Sequence, residues 1–242
     1  MTLTVAKAMS WIAILAMTES CNGHGTSDSL GAMRATASAD TATAAGTSVV
    51  WNFDGMPVGQ PPPGFLLERT GPGNNGRWII RAVSDARSQP NVLAQEDTDR
   101  TAGRFAVAAA DSTSFGDVSL SVRCKPLDGR VDQACGIVWR YRDHNNYYLA
   151  RANALENDVR FYVVQDGRRR EIEGWNGAVA TGVWHELRAD VRLDRAEIYF
   201  DGVKVIDARN GRLTAPGKIG MWIKADSHTL FDDLAAIPLV SR

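Results

Sequence analysis

Aromatic rings and arginines are interspersed with apolar residues through Gly136–Val164, GIVWRYRDHNNYYLARANALENDVRFYVV. A ring can pack on the apolar face of a sugar, and a guanidinium carries five N–H donors that suit hydroxyl groups. The best candidate surface for a ligand therefore comprises Arg140, Tyr148, Arg160 and Tyr162, to which Trp175 and Trp222 could add. The alternative is that these long side chains only cover the polar face of a sheet.

The period of two in this segment assigns its side chains to two faces. We interpret the segment as two successive hairpins that turn at DHN and at ALEND. The apolar face then comprises Ile137, Trp139, Tyr141, Tyr147, Leu149, Phe161 and Val163, and the opposite face comprises Val138, Arg140, Tyr148, Ala150, Arg160 and Tyr162. A slip of one residue would exchange the faces, because side chains alternate along a strand.

Acidic pairs that could hydrolyse a glycoside are scarce. A retaining glycosidase needs two carboxyl groups about 5–5.5 Å apart. REIEGW places Glu171 and Glu173 on one strand face, about 7 Å apart by strand rise, without a third acidic residue. An exposed edge strand is the favoured interpretation. Asp143 and His144, in RDHNN, match no zinc-site spacing, so a solvated turn is favoured there.

Strands and turns must position these residues. In DVSLSVRC and ELRADVRL the inward positions are Val118, Leu120, Val122, Cys124, Leu187, Ala189, Val191 and Leu193, as period-two alternation indicates. RAEIYFDGVKVID is typical of a hairpin with Asp201-Gly202 as its two-residue type I′ turn. About a dozen strands at short spacing predict an all-β sandwich or barrel in one domain of ~200 residues.

The overall charge argues against nucleic acid as a partner. The 242 residues contain 27 basic and 28 acidic side chains, for a net charge of −1. A nucleic-acid-binding protein usually carries a basic face or stripe. We therefore expect no nucleic-acid partner.

The N-terminus is typical of an export leader. After Lys7, the apolar run Met9–Met17 is too short to cross a bilayer, which needs about 20 residues, and suits a secretory signal. TESC, ending at Cys21, resembles a degraded lipobox for lipidation, whereas cleavage after Ala39 is the alternative. We expect an exported protein, in the periplasm or associated with the outer membrane, whose only membrane contact is a possible lipid anchor.

The chain then divides into three parts. Residues 1–21 are predicted to be a signal peptide or lipoprotein leader, 22–48 a flexible linker of small and polar residues, and 49–242 the folded domain. Cys124 ends one strand-like run and Cys135 opens the next, so they are expected to form a disulfide once Cys21 is lipidated or removed. Two buried thiols are the alternative.

The segment GVWHELRADVRLDRAEIYFDGVKVIDARNGRLTAPGKIGMWIKADSHTLFDDLAA resembles the C-terminal half of concanavalin A-like lectin/glucanase domains. FDGMPVGQPPPGF, PNVLAQ and VWRYRDHNNYYLARANALENDVRFYVVQDGRR are similar to the bacterial 3-keto-disaccharide hydrolase-like, or family-sixteen glycoside hydrolase-like, branch. The resemblance covers roughly Val49 to Ile237. It implies an antiparallel two-sheet jelly-roll sandwich whose concave face often binds saccharides, although one fold hosts many functions.

One interpretation of the acidic residues near the two ends of the predicted domain is that they bind a structural calcium ion. First and last strands often pair in such jelly rolls, which would bring Asp54 close to Asp232 or Asp233. Clustered carboxylates and carbonyls suit Ca²⁺. The alternative is turn capping and hydrogen bonding to a neighbouring strand.

The sequence is compatible with two functions. The first is an exported domain that recognises a glycan on its concave face. The second is an enzyme on the same scaffold acting on an oxidised (3-keto) sugar. A keto group acidifies the neighbouring C–H, so a single base could start elimination, and His185, Glu186 or Asp232 are the candidates.

Overall fold

The computed structural model describes residues 47–240, which form fifteen strands and no helix. The strands are β1 (Val49–Trp51), β2 (Phe65–Thr70), β3 (Trp78–Ala82), β4 (Asn91–Gln95), β5 (Phe105–Ala110), β6 (Val118–Asp128), β7 (Ala134–Asp143), β8 (Asn146–Asn153), β9 (Asp158–Gln165), β10 (Arg168–Asn176), β11 (His185–Arg192), β12 (Arg195–Phe200), β13 (Val203–Arg209), β14 (Lys218–Lys224) and β15 (His228–Pro238). The predicted leader, Cys21 and most of the predicted linker lie outside the described residues.

The strands form two antiparallel sheets. The eight-stranded sheet has the order β13-β12-β11-β6-β15-β4-β3, with β1 pairing along β15, and the seven-stranded sheet has the order β10-β9-β8-β7-β14-β5-β2. This arrangement confirms the predicted jelly-roll sandwich. Within residues 47–240 no helix is long and apolar enough to span a membrane.

The main core lies between the sheets and follows the predicted alternation. Val118, Leu120 and Val122 of β6 are buried in it, whereas the residues between them are partly exposed. On β11, Leu187, Ala189 and Val191 are buried in the same core. Leu193 was predicted to point inward with them, but it lies in the turn after β11 with a φ of 50° and is exposed.

One covalent bond joins the two sheets. Cys124 of β6 and Cys135 of β7 are buried in the main core and joined as a disulfide, with 6.2 Å between their Cα atoms. The Asp201-Gly202 turn also has the predicted form, because both residues have positive φ, 47° and 81°, between β12 and β13. Positive φ at both central residues defines a type I′ turn.

The seven-stranded sheet is buried on both faces. Its outer face carries a second apolar cluster, which comprises Phe105, Val107, Ala109, Ala134, Val138, Tyr141, Tyr147, Leu149, Tyr162, Val164 and Trp222. The Oη of Tyr147 on β8 lies 2.8 Å from Oγ1 of Thr70 on β2. Three strands separate β8 from β2. Four strand spacings span about 19 Å, so this contact requires the outer face to be strongly concave.

The hairpin of β7 and β8 has a different register from the predicted one. Trp139 lies directly opposite Tyr148, and the register then shifts before Asp143 pairs with Asn146. Opposite residues share a face, so Tyr148 joins Trp139 in the main core. The register shift leaves Tyr141 and Tyr147 on the concave face instead. Arg140, at the start of the shift, has a φ of 47°.

Candidate functional site

The structure separates the six residues predicted to bind a ligand. Arg160, Tyr162 and Trp222 lie on the concave face of the seven-stranded sheet, whereas Tyr148 and Trp175 lie on its other face. Tyr148 is 2% exposed, and its hydroxyl donates to the carbonyl oxygen of Asn210 at 2.6 Å. Trp175 packs against the main core. The prediction of a partly exposed surface was therefore wrong for Tyr148 and Trp175. Tyr162 and Trp222 do lie on the concave face, but they are 6% and 0% exposed, so they are buried there and not exposed as predicted.

Arg140 also has a structural role and is not available to a ligand. Its side chain is buried and donates to the carbonyl oxygens of Leu213 at 2.7 Å and Leu193 at 2.5 Å. Asp117 lies 3.8 Å from the same guanidinium. The positive φ at the register shift explains why the strand pattern failed here: it takes the residue off the regular alternation.

Arg169 forms the centre of the concave face. Its Cζ lies 4.5 Å from the ring centroids of Phe105 and Tyr162 and 5.8 Å from that of Trp222. We refer to Arg169 together with the rings of Phe105, Tyr162 and Trp222 as the caged arginine. A guanidinium over an aromatic ring is attracted by the negative face of the ring. The arrangement gives the concave face aromatic surface and hydrogen-bond donors at one place.

Sequence reasoning overlooked Arg169 and Phe105. The Asp166-Gly167 dipeptide was a local signal for the position of Arg169, because Asp-Gly is typical of a two-residue hairpin turn. In the structure both residues have positive φ, 51° and 72°. That turn pairs Arg169 with Val164, which places the arginine on the face of Tyr162. Phe105 comes from a strand at the far side of the sheet, so no local signal could have found it.

Charged residues extend from the caged arginine toward the turn between β8 and β9. Arg151 is buried, binds Asp158, lies 2.5 Å from Glu156 and donates to the Tyr162 hydroxyl at 3.3 Å. Burial by itself would raise the pKa of Glu156, but Arg151 and Lys224 together hold it below its ordinary value. Glu156 therefore stays ionised at neutral pH and offers acceptors to a ligand.

Lys224 is the last member of this group of charged residues, which we call the charged end of the concave face. It binds the buried Asp132, whose other oxygen accepts from the Asn153 amide at 3.0 Å, and it lies 3.6 Å from Glu156. Burial raises the pKa of Asp132, and Lys224 opposes that shift. The concave face thus offers donors and acceptors at fixed positions beside three rings.

Arg160 lies at the rim of the concave face, 3.2 Å from Asp158 and 3.4 Å from Glu171. A β-bulge interrupts the strand between Glu171 and Glu173, so the two carboxylates do not follow simple alternation. Glu173 accepts the backbone N–H of Gly174 at 3.0 Å. The bulge is consistent with the favoured edge-strand interpretation of this segment and gives no support to a glycosidase pair.

The acidic residues considered for calcium have protein partners. As predicted, β1 pairs with β15. Asp54 accepts the N–H of Asn91 at 3.0 Å. Asp232 is buried and accepts the N–H and hydroxyl of Ser88, at 2.8 and 2.9 Å, and the N–H of Asp233 at 2.8 Å. Among residues 47–240, no group of three or more His, Cys, Asp or Glu side chains is arranged to hold a metal. A calcium site at Asp54, Asp232 and Asp233 remains a prediction.

The candidate bases for an enzyme lie on the eight-stranded sheet. His185 Nδ1 is 2.8 Å from Asp201 and Nε2 is 3.0 Å from the carbonyl oxygen of Ala180, so the buried ring is held on both sides. Glu186 is paired with Arg123 at 2.8 Å. Asp232 is held by Ser88, as above. These three residues therefore lie apart from the concave face.

The turn of Asp143 and His144 is a local structure. The Asp143 carboxylate accepts the Asn145 N–H at 2.7 Å and the Asn146 amide at 3.0 Å. The His144 carbonyl accepts from the Thr70 hydroxyl across the sheet. Burial raises the pKa of the neighbouring Tyr147 to about 12, so its phenol stays protonated for Thr70. The turn closes one end of the concave face.

Comparison by structure finds similar solved proteins. A carbohydrate binding module, CBM66, from Bacillus subtilis matches with a TM-score of 0.56 and 20% identity, covering 72% of this chain and 95% of that one. A β-glucanase from Bacillus licheniformis matches with a TM-score of 0.52 and 14% identity, covering 81% and 99%. A Bacillus subtilis protein of unknown function with a galectin-like fold has a TM-score of 0.52 and 11% identity, covering 68% and 89%.

Comparison by sequence adds no relative. No family model matches the chain, and no curated protein matches it. At identities of 20% and below, the structural matches establish the fold. The activity has to be argued from the residues of the site, because one fold hosts many functions. Residues 47–240 adopt a jelly-roll sandwich fold of the concanavalin A-like type.

Proposed function

We propose that this protein is an exported domain that recognises a saccharide on the concave face of its seven-stranded sheet. The observation that carries the proposal is the caged arginine, where three rings and a guanidinium meet on one concave surface. Ligand sites are typically concave, largely apolar and equipped with a few placed polar groups. The likeness to a protein named as a carbohydrate binding module also supports the proposal.

The polar groups at the charged end suit sugar hydroxyls. A hydroxyl both donates and accepts, so it needs both kinds of partner within a few ångströms. Glu156 and Lys224 supply them, with side chains 41% and 20% exposed. Arg151 and Asp158 are almost fully buried and hold the neighbouring residues in position. Because these pairs are already formed, the face needs little reorganisation to bind a ligand.

Binding is favoured over the enzymatic alternative. Turnover of an oxidised sugar would need a base that reaches the bound ligand. His185, Glu186 and Asp232, the bases considered from the sequence, belong to β11 and β15 of the other sheet and are held by protein partners. On the concave face, Asp158 is almost fully buried and bound to Arg151. Release of glycone from a 3-keto glucoside would restore the enzymatic alternative.

A glycan array tests the proposal with matched variants of the full chain. Arg160→Ala removes a mostly buried arginine from the concave face, where it lies near Asp158 and Glu171 and donates to the Trp175 carbonyl oxygen and the Asn176 side chain. Arg188→Ala removes a half-buried arginine from β11 on the other sheet, where Asp190 lies 3.5 Å away. We expect Arg160→Ala to weaken glycan binding and Arg188→Ala to leave it unchanged. Equal loss in both variants, or no glycan bound by the wild type, would contradict the proposal.

A further inference from the structure

Arg169 has an unusual environment for a partly buried cation. Its Nη1 is buried without a hydrogen-bond acceptor, and no acidic side chain within residues 47–240 lies in ion-pair distance of it. Loss of water lowers the pKa of Arg169, and repulsion from Arg151 adds to that effect. A buried cation is normally paired with an anion, because an unpaired charge loses its hydration without compensation.

The buried arginines among residues 47–240 are paired with acidic side chains. Arg140 lies 3.8 Å from Asp117 and also donates to two backbone carbonyl oxygens. Arg151 has Glu156 and Asp158 as partners. Arg104 has Asp97 and Asp99 at 3.6 Å and also donates to backbone carbonyls. Arg169 differs because three aromatic rings lie within 5.8 Å of its guanidinium carbon, whereas the described residues provide neither a hydrogen-bond acceptor nor an ion-pair partner for it. A missing anion is the simplest account of this difference.

We propose that Arg169 binds the carboxylate of an acidic saccharide, a uronic acid residue, while the buried rings of Phe105, Tyr162 and Trp222 hold the guanidinium in place from below. This inference rests on the proposed function and names the class of its ligand. A guanidinium is planar and presents two parallel N–H donors, which match the two oxygens of a carboxylate. A sugar that carries a carboxylate supplies the missing anion, and its hydroxyls suit the partly exposed Glu156 and Lys224 nearby.

The charge distribution of the site determines which part of the ligand lies where. At the end near the β8–β9 turn, Arg151 and Lys224 are already paired with Glu156, Asp158 and Asp132, so the cations there are engaged. Arg169 lies on edge strand β10, beside Val164. The carboxylate therefore lies toward β10, and the uncharged hydroxyls lie toward Glu156 and Lys224.

The test compares uronic acids with neutral sugars that differ only at C6. The methyl glycosides of glucuronate and glucose, galacturonate and galactose, and mannuronate and mannose form three pairs, titrated calorimetrically against the full chain at one ionic strength. Sodium acetate serves as the free anion. For at least one pair we expect the uronate to bind roughly tenfold more tightly than its neutral partner, as hydrogen bonds to charged groups allow. Acetate alone should bind more weakly than that uronate.

Variants on neighbouring positions assign the preference to Arg169. Arg169→Gln should reduce the ratio of the uronate affinity to the neutral-sugar affinity to about one. Arg169→Lys should give an intermediate ratio, because lysine keeps the positive charge but lacks the two parallel N–H donors of the guanidinium. Arg170→Gln is the control, since Arg170 is exposed and pairs with Val163 on the opposite face. Thermal melts of all three variants show whether the fold is retained.

Each result bears on a defined claim. Equal binding of uronates and neutral sugars would overturn the inference about the carboxylate and leave the saccharide proposal standing. Acetate binding as tightly as the best uronate would indicate a plain anion site and contradict the inference. Absence of binding to every sugar, here and on the glycan array, would overturn both. A preference that survives Arg169→Gln would place the carboxylate elsewhere.

Discussion

The guanidinium carbon of Arg169 lies 4.5 Å from the ring centroid of Phe105, although β10 and β5 are separated by four other strands. Five strand spacings correspond to about 24 Å in a flat sheet, so the seven-stranded sheet must curl strongly to allow the contact. The same curvature brings Thr70 to Tyr147. The concave face is therefore a property of the whole sheet, and its central site consists of residues that are distant in sequence.

Trp139 should be among the most important residues for stability. It is 1% exposed and stacks on Tyr148 and Phe161, with centroid distances of 5.7 and 5.4 Å. Trp139→Ala should lower the free energy of unfolding by about 3–5 kcal/mol, the usual cost of removing a large buried ring. Chemical denaturation measures the loss. A change below about 1 kcal/mol would mean that the ring is not in the core.

Tyr148 should behave in the same way, contrary to the expectation from the sequence. Its hydroxyl donates to Asn210 and accepts the Leu213 N–H at 3.1 Å, so Tyr148→Phe should cost about 1–3 kcal/mol by leaving buried groups unpaired. Tyr148→Ala should cost more, because it also removes the ring. Denaturation of both variants would show the ranking, and a neutral Tyr148→Ala would favour the register predicted from the sequence.

Much of the fold could be predicted from local patterns, whereas half of the candidate site could not. Val118, Leu120 and Val122 alternate with partly exposed residues, so their face was evident. Tyr148 lies in a sheet that is buried on both faces, where alternation of polar and apolar residues gives little information. The contact of Arg169 with Phe105 depends on curvature over six strands, which no short segment encodes.

The Cys124–Cys135 disulfide should be present in the native protein. Cys124 and Cys135 join the two sheets inside the main core, and they are 11 positions apart in the chain. Replacing both by alanine should lower the free energy of unfolding by roughly 2–3 kcal/mol according to the chain-entropy account. Mass spectrometry of non-reduced peptides should show the link. Two thiols that alkylate readily in protein purified from the cell envelope would contradict it.

Asp226 should make stability depend on pH. Burial works to raise its pKa, but the backbone N–H groups of Arg130, Val131 and Asp132 hold it below the ordinary value. A lowered pKa in the folded state stabilises the protein above the unfolded pKa of about 3.9, and that contribution is lost as pH falls through the folded pKa. Asp226→Asn should therefore cost about 1–3 kcal/mol at pH 7.

The cost of Asp226→Asn should shrink as the wild-type carboxyl becomes protonated. Urea denaturation of both proteins at pH 7 and at about pH 3 measures the difference, because the ordinary pKa of aspartate is about 3.9. Asp128→Asn is a control, since the Asp128 side chain accepts only the N–H of its neighbour Gly129 at 2.7 Å. A difference for Asp226→Asn that is the same at both pH values would contradict the assignment.

Residues 1–46 should be dispensable for folding of the sandwich. Beyond the leader they show no alternating or helical apolar pattern, so they can bury little surface. A chain that begins at Thr47 should melt cooperatively and within a few degrees of the full-length protein, because its core is unchanged. Differential scanning calorimetry compares the two. A loss of many degrees would show that the N-terminal segment packs on the domain.

The most direct test of the account is a crystal structure of the protein with the glycan that binds most tightly on the array. The account predicts a sugar ring on the concave face of the seven-stranded sheet, in contact with Glu156 or Lys224 and with a polar group within hydrogen-bond distance of Arg169. A sugar bound instead to the outer face of the eight-stranded sheet, near Arg188 and Tyr199, would contradict it.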